Sequence, residues 1–189
     1  PEIKPEAYTL AVSDQCVKVE ASGLRGFNYA IQTIKQMLPV EVYGKEAASG
    51  KWVMPCVVIN DAPRFAYRGL HLDECRHFFG IEEVKRYLDI MEVHKLNKLH
   101  WHLTEDQGWR IEIKKYPRLT EVGSVRKGTC IKKDFTSHDG VPYGEGMWYT
   151  QDQIREVVAY AASKGIDVIP EVDLPGHMVA ALAAYPELG

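Results

Sequence analysis

Lys98-Leu-His-Trp-His-Leu-Thr-Glu-Asp-Gln-Gly-Trp109 is the stretch on which the architecture turns. Its first six residues alternate in character, as a β-strand requires, and the strand then runs into two acids, Glu105 and Asp106. The same arrangement occurs twice more. Gly69-Leu-His-Leu-Asp73 is a short strand followed by Arg76, and Ile166-Asp-Val-Ile-Pro-Glu-Val172 is a strand followed by Asp173 and His177. Helical periodicity separates the three. Residues 81–96 place Ile81, Val84, Leu88 and Met91 on one face. Thr150-Gln-Asp-Gln153 has the form of a capping box and opens a helix carrying Ile154, Val157, Val158 and Ala161, with Gly165 where a C′ glycine belongs. A short apolar helix follows Pro175-Gly-His177.

The order β-α-β-α-β-α argues for a parallel α/β sheet. A doubly wound dinucleotide fold carries a glycine-rich turn after its first strand, and Asp73-Glu-Cys-Arg76 is the opposite in character. A (β/α)8 barrel instead gathers polar groups past the C-terminal ends of several strands, which is the pattern here. The fold class expected is therefore α/β, a partial (β/α)8 TIM barrel contributing its first three strands, preceded by part of a small α+β domain.

That preceding part spans residues 1–63. Ala7-Tyr-Thr-Leu-Ala-Val12 and Cys16-Val-Lys-Val-Glu-Ala21, split by Ser13-Asp14, read as a β-hairpin. Phe27, Ala30, Ile31, Ile34 and Leu38 fall at helical spacing, and Pro39 ends the helix. Residues 53–59 read as a strand that Pro55 places near a sheet edge. Asn60-Asp-Ala-Pro63 is a turn cluster and marks the boundary. Residues 64–189 form the first part of the barrel, truncated before its fourth strand, since a whole barrel takes roughly 250 residues.

Composition narrows the function classes. An apolar fraction of 46% and a charged fraction of 26% are those of a globular protein, and the net charge is −3. Basic runs stop at pairs, Lys114-Lys115 and Lys132-Lys133, so no nucleic-acid partner is expected. No apolar run is long enough for a membrane span. The first residues lack the regions of a signal peptide. Cys16, Cys56, Cys75 and Cys130 are irregularly spaced without a CxxC pair and read as buried free thiols.

An arginine beside carboxylates at a barrel mouth suits a neutral polyhydroxylated ligand. The guanidinium offers a rigid fork of donors and the carboxylates accept. Trp109, Trp148 and Tyr149 are either a wall against a sugar ring or packing beneath the long polar segment 104–149.

Three motifs now carry a resemblance. Arg68-Gly-Leu-His-Leu-Asp-Glu-Cys-Arg-His-Phe-Phe79, residues 99–109 and Ile169-Pro-Glu-Val-Asp-Leu-Pro-Gly-His177 resemble, in order, the first three barrel strands of glycoside hydrolase family 20 β-N-acetylhexosaminidases. Residues 7–66 look like the later part of the domain preceding that barrel. The resemblance implies retaining, exo-acting hydrolysis of terminal β-linked N-acetylglucosamine or N-acetylgalactosamine without cofactor or metal. The substrate's own 2-acetamido oxygen attacks the anomeric carbon, an aspartate orients that group, and an adjacent glutamate protonates the leaving oxygen. It implies that Arg76 holds hydroxyls of the terminal sugar. Glu105 and His177 match an acid–histidine pair supporting the catalytic carboxylate, where the family usually has aspartate in place of Glu105. Asp106 and Asp173 match acidic positions lining the pocket. It also implies a periplasmic or secreted parent protein.

The Asp–Glu pair of that mechanism belongs to a fourth strand, beyond Gly189, so the 189-residue chain is expected to be inactive alone. Two other readings stand beside it. One is a non-catalytic carbohydrate-binding fragment. The other is a metal-dependent barrel hydrolase built on His100 and His102, on one strand face, with Glu171, Asp173 and His177. An unpaired third strand also invites self-association.

Overall fold

The computed structural model describes residues 4–44, 52–132 and 134–189. Residues 1–3, read above for a signal peptide, and Lys133 of the second basic pair lie outside them. The N-terminal unit is an antiparallel sheet of β1 (Tyr8–Val12), β2 (Val17–Ala21) and β3 (Val57–Asp61) in the order β2-β1-β3, covered by α1 (Leu24–Met37). Tyr8, Leu10 and Val12 alternate inward from the central strand and bury against Tyr29 and Ala30 of the helix.

Two expectations need correction in this unit. The buried stripe of α1 is Gly26, Tyr29, Ala30 and Gln32, while Phe27 and Ile31 are 42% and 46% exposed. A Cβ on Gly26 would lie 2.5 Å from the Ala7 carbonyl oxygen, so the helix backbone approaches the sheet closely at this point, with Tyr29, Ala30 and Ile34 inward and Phe27 and Ile31 outward. The third strand starts later than read, at Val57, and takes in Asn60 and Asp61, the supposed turn formers. Asp61 pairs with Tyr8 across the sheet, and its carboxylate accepts from the Tyr8 hydroxyl at 2.9 Å and pairs with Lys95 at 3.1 Å.

The second unit holds three parallel strands, β4 (Gly69–Asp73), β5 (Lys98–His102) and β10 (Asp167–Glu171), in the order β10-β5-β4. Helix α2 (Ile81–Val93) joins the first two strands. Between β5 and β10 the chain forms the pairs β6 (Thr104–Glu105)–β7 (Gly108–Trp109) and β8 (Cys130–Ile131)–β9 (Asp134–His138). The four-residue helix α3 (Arg118–Glu121) lies between these pairs, and α4 (Gln151–Ser163) then leads into β10. Helix α5 (Val179–Ala184) follows the last strand.

Strand alternation gives the sheet two unlike faces. Leu99 and Trp101 of β5 pack with Val84, Leu88 and Met91 of α2 and with Val157 and Ala161 of α4 in one core. Both helices therefore cover the same face, whereas a doubly wound sheet has helices on both. The other face presents His71, His100, His102 and Glu171, drawn from all three strands by the parallel register.

Helix ends are set by local chemistry. Thr150 accepts from the Gln153 backbone N–H at 3.1 Å, and the Gln153 side chain accepts from the Thr150 N–H at 2.9 Å, completing the capping box read from sequence. Thr150→Ala is expected to cost about 1 kcal/mol in a denaturant titration. At the far end Gly165, at φ 73°, closes the helix as its C′ residue, with Ile166 N–H on the Ala161 carbonyl. Helix α2 stops before residue 96 by the same device, with Lys95 at φ 56° in the glycine's place and Leu96 N–H on the Met91 carbonyl. The two units are clasped at Glu6, which pairs with Arg68 at 3.0 Å and Arg25 at 3.1 Å and accepts from Asn97 at 3.1 Å. Burial pushes the Glu6 carboxyl up, but these donors outweigh it and hold the pKa below the usual carboxylate value.

Of the cysteines, all free, Cys75 is buried, Cys130 half-buried, and Cys16 and Cys56 exposed, so the reading of buried thiols holds for one of them. No helix among the described residues is long and apolar enough to cross a membrane.

Candidate functional site

The ends of β4 and β5 meet in a cluster centred on Arg76 and Glu105. Asp73, last in β4, shapes the loop that carries the arginine: its Oδ1 accepts from the N–H groups of Cys75 (2.9 Å) and Arg76 (3.2 Å). Its Oδ2 then accepts from Arg76 Nη1 at 2.7 Å. Burial raises the Asp73 pKa, but these bonds with Arg76 prevail and hold it low. Burial likewise opposes the charge on Arg76, and Asp73 and Glu105 more than restore it. The remaining Arg76 donors reach Gln107 Oε1 (Nε, 3.0 Å) and Glu105 Oε1 (Nη2).

Glu105 is the buried member, its side chain only 1% exposed. Its Oε1 receives Arg76 and His177 Nδ1, the latter at 2.8 Å, and its Oε2 accepts from the Asp106 N–H at 2.5 Å. His177 arrives from the turn after β10 at φ 54°, in the left-handed region, which histidine enters more readily than most non-glycine residues. Its ring is 54% exposed, so the cluster grades from a buried acid to an open rim. Asp106 anchors the next helix, accepting from Val179 N–H at 3.0 Å through Oδ1, and its Oδ2 lies 3.7 Å from His177. Asp173 donates its N–H to Thr104 Oγ1 at 2.8 Å, and its carboxylate, Glu105 and His102 bring one atom each within 4.8 Å of one another. All five residues singled out from sequence, Arg76, Glu105, Asp106, Asp173 and His177, thus gather at one end of the parallel sheet.

The aromatic wall does not form as one. Trp109 is 7% exposed and packs with Leu119 and the alanines of α5, its indole N–H on the Ile111 carbonyl at 2.7 Å. Tyr149 is fully buried beside Trp101 and Phe78. Both belong to packing, and only Trp148 keeps partial exposure. The metal reading fares similarly. Among the described residues, His102 groups with His71 and Glu171, with Asp73 and Cys75, or with Glu105 and Asp173, while His177 groups only with Glu105 and Asp106. His102 Nε2 lies 2.8 Å from the Thr104 carbonyl, which can only accept, so the ring proton belongs on that nitrogen and Nδ1 alone keeps a lone pair. His100 turns to Glu171 at 2.6 Å and joins none of these sets.

Sequence reading passed over the supports. Gln107 lies inside the second motif, yet a glutamine in a loop gives no sign of its partner. Arg110 is fully buried and donates to the carbonyls of Cys75 (3.0 Å), Ser124 (2.7 Å) and Met147 (3.0 Å). Glu74 is fully buried too, accepting from Tyr149 Oη and Phe79 N–H, each at 2.8 Å, and burial raises its pKa.

A parallel α/β sheet with an arginine–carboxylate–histidine cluster beyond its strand ends is the arrangement expected at the C-terminal face of a (β/α)8 barrel. Comparison with known proteins makes this specific. The profile described as "Glycosyl hydrolase family 20, catalytic domain" matches residues 65–189, and "Glycosyl hydrolase family 20, domain 2" matches residues 1–62. The chain belongs to glycosyl hydrolase family 20. It is 48% identical over 186 residues to a Beta-hexosaminidase of Porphyromonas gingivalis, covering 98% of this chain and 22% of that protein. A crystal structure of the GH20 Exo beta-N-Acetylglucosaminidase from Vibrio harveyi in complex with N-acetylglucosamine superposes with TM-score 0.85 at 42% identity, covering 98% of this chain and 28% of that one. The N-acetyl-beta-hexosaminidase of Streptomyces plicatus gives TM-score 0.87 at 41% identity, covering all of this chain and 35% of that one. The chain thus spans about a fifth to a third of the length of these relatives. Likeness to these family 20 structures makes its α/β fold that of a partial TIM barrel.

Proposed function

We propose that residues 1–63 are the C-terminal part of a small α/β domain and residues 64–189 the opening part of a catalytic (β/α)8 barrel. The protein to which they belong is a retaining β-N-acetylhexosaminidase. It removes terminal β-linked N-acetylglucosamine or N-acetylgalactosamine from a glycan by substrate-assisted catalysis. The observation that carries this reading is the convergence of Arg76 and His177 on one carboxylate oxygen of Glu105, within the region matching the family's catalytic domain.

Each residue has a role in that reading. Arg76 presents guanidinium donors to adjacent hydroxyls of the terminal sugar, a fork that Asp73 and Gln107 hold in direction. Glu105 and His177 form a supporting pair whose charge stabilises and tunes the catalytic acid in front of them. Asp106 and Asp173 line the pocket floor and rim. The orienting aspartate and the protonating glutamate come from a fourth strand, outside these 189 residues. Asp73-Glu74, an adjacent acid pair, does not take their place: Asp73 is engaged with Arg76, and Glu74 is fully buried with both oxygens occupied.

The test is hydrolysis of an aryl β-N-acetylglucosaminide by the full-length protein, with the product anomer followed by NMR. The β-anomer should appear first, and the matching β-glucoside, which lacks the acetamido nucleophile, should be left intact. The 189-residue chain alone should show no turnover. Turnover by this piece, or inversion by the whole protein, would overturn the reading.

A further inference from the structure

We infer that Arg126, in the segment between β7 and β8, is a positioning residue for Arg76 and thereby sets how tightly the terminal sugar is held; the inference rests on the sugar-binding role proposed for Arg76. The Arg126 guanidinium donates to the Arg76 carbonyl (Nη2, 2.8 Å) and to the Gln107 carbonyl (Nη1, 3.3 Å). These are the two residues whose side chains meet, Arg76 Nε donating to Gln107 Oε1 at 3.0 Å. One cation therefore fixes the backbones from which both halves of that contact spring. A guanidinium suits the task because its donors diverge in a fixed plane and can bridge two carbonyls that no single ammonium spans.

Arg126 is itself held from three directions. Its Nε and Nη2 donate to Thr129 Oγ1 at 3.2 and 2.9 Å. Its guanidinium lies over the Tyr143 ring at 4.1 Å from the centroid, and the backbones of the two residues are paired, Arg126 N–H on the Tyr143 carbonyl at 2.8 Å. The Tyr143 hydroxyl in turn accepts from Phe78 N–H at 2.8 Å, on the far side of the Arg76 loop. Buried Arg110 grips the preceding carbonyl, that of Cys75, at 3.0 Å. Consecutive carbonyls of the loop that aims Arg76 are thus tied to two guanidiniums, one in the core and one beneath the rim. Arg110 is fully buried, whereas Arg126 is half-buried and the better target for substitution.

The experiment is a double-mutant cycle in the full-length protein with Arg126→Ala, Arg76→Ala and both together, read as kcat and KM on an aryl β-N-acetylglucosaminide. Arg126→Ala should raise KM by about tenfold with kcat largely kept, because a mis-aimed binding group weakens ground-state and transition-state binding alike. In the Arg76→Ala background it should cost almost nothing further, since its route of action is gone. Arg126→Lys, which keeps the charge but bridges only one carbonyl, should give an intermediate KM and serves in place of the alanine variant if that one does not fold. Loss of folded protein alone would lower apparent kcat at constant KM. That result, or independent effects of the two alanine variants that multiply, would overturn the inference while leaving the proposed function intact. An Arg76→Ala variant with unchanged kinetics would overturn both.

Discussion

Arg76→Ala in the full-length protein is expected to lower kcat/KM on an aryl β-N-acetylglucosaminide by about 10²- to 10³-fold, equivalent to roughly 3–4 kcal/mol of lost transition-state binding. The size follows from what the guanidinium does in two directions at once. Toward the ligand, in the role proposed for it, it offers charge-assisted donors, each worth more than a neutral hydrogen bond. Toward the protein it compensates Asp73 at 2.7 Å and the buried Glu105. Alanine leaves two carboxylates facing each other across the vacated space, with His177 as the nearest remaining cation source. Arg76→Lys should recover little, because an ammonium cannot reach Asp73, Gln107 and Glu105 together in one plane. A wild-type kcat/KM for the alanine variant would show that the sugar is held elsewhere.

The sheet of the second unit was legible because its strands state their geometry openly. His71, His100 and His102 alternate with Leu70, Leu99 and Trp101, and the acids fall just past the strand ends. Where two patterns compete, reading fails. Phe27, Ala30, Ile31 and Ile34 make a good helical stripe in α1, but Gly26 brings the helix so close to the sheet that Tyr29 joins Ala30 and Ile34 on the inner face while Phe27 and Ile31 stay exposed. Asn60 and Asp61 are turn formers by intrinsic preference, yet Asp61 has the Tyr8 hydroxyl waiting across the sheet and the Lys95 ammonium reaching it from the end of α2, and it remains in the strand.

The same limit governs the site. Each of its five ionisable members lies within a motif a few residues long, so the local pattern betrays it. The supports do not, because their partners are remote in sequence. Arg126 reaches a carbonyl 50 residues away and Tyr149 a carboxylate 75 residues away. Nothing in a polar segment between Trp109 and Tyr149 separates a tyrosine that lines a pocket from one that is buried under it.

Glu105→Gln is the sharper test of the supporting pair. An amide keeps the volume and removes the charge, so in many buried sites it is the mild substitution. Here it should be severe. Three groups point donors at the Glu105 carboxylate: the Arg76 guanidinium, His177 Nδ1 and the Asp106 N–H. A carboxylate accepts from all of them, whereas glutamine has one acceptor oxygen and must turn its own NH2 toward a donor. With the side chain 1% exposed, water cannot enter to relieve the clash. The Arg76 charge loses a partner and His177 loses its orienting anion, so kcat/KM should fall by about 10²-fold or more. Glu105→Asp keeps the charge and both acceptor oxygens on a shorter stem, and matches the residue the family resemblance puts at this position. Its activity should stay within about tenfold of the parent protein. If glutamine were tolerated and aspartate were not, reach rather than charge would be what the site needs, and the supporting role assigned to the Glu105–His177 pair would fall.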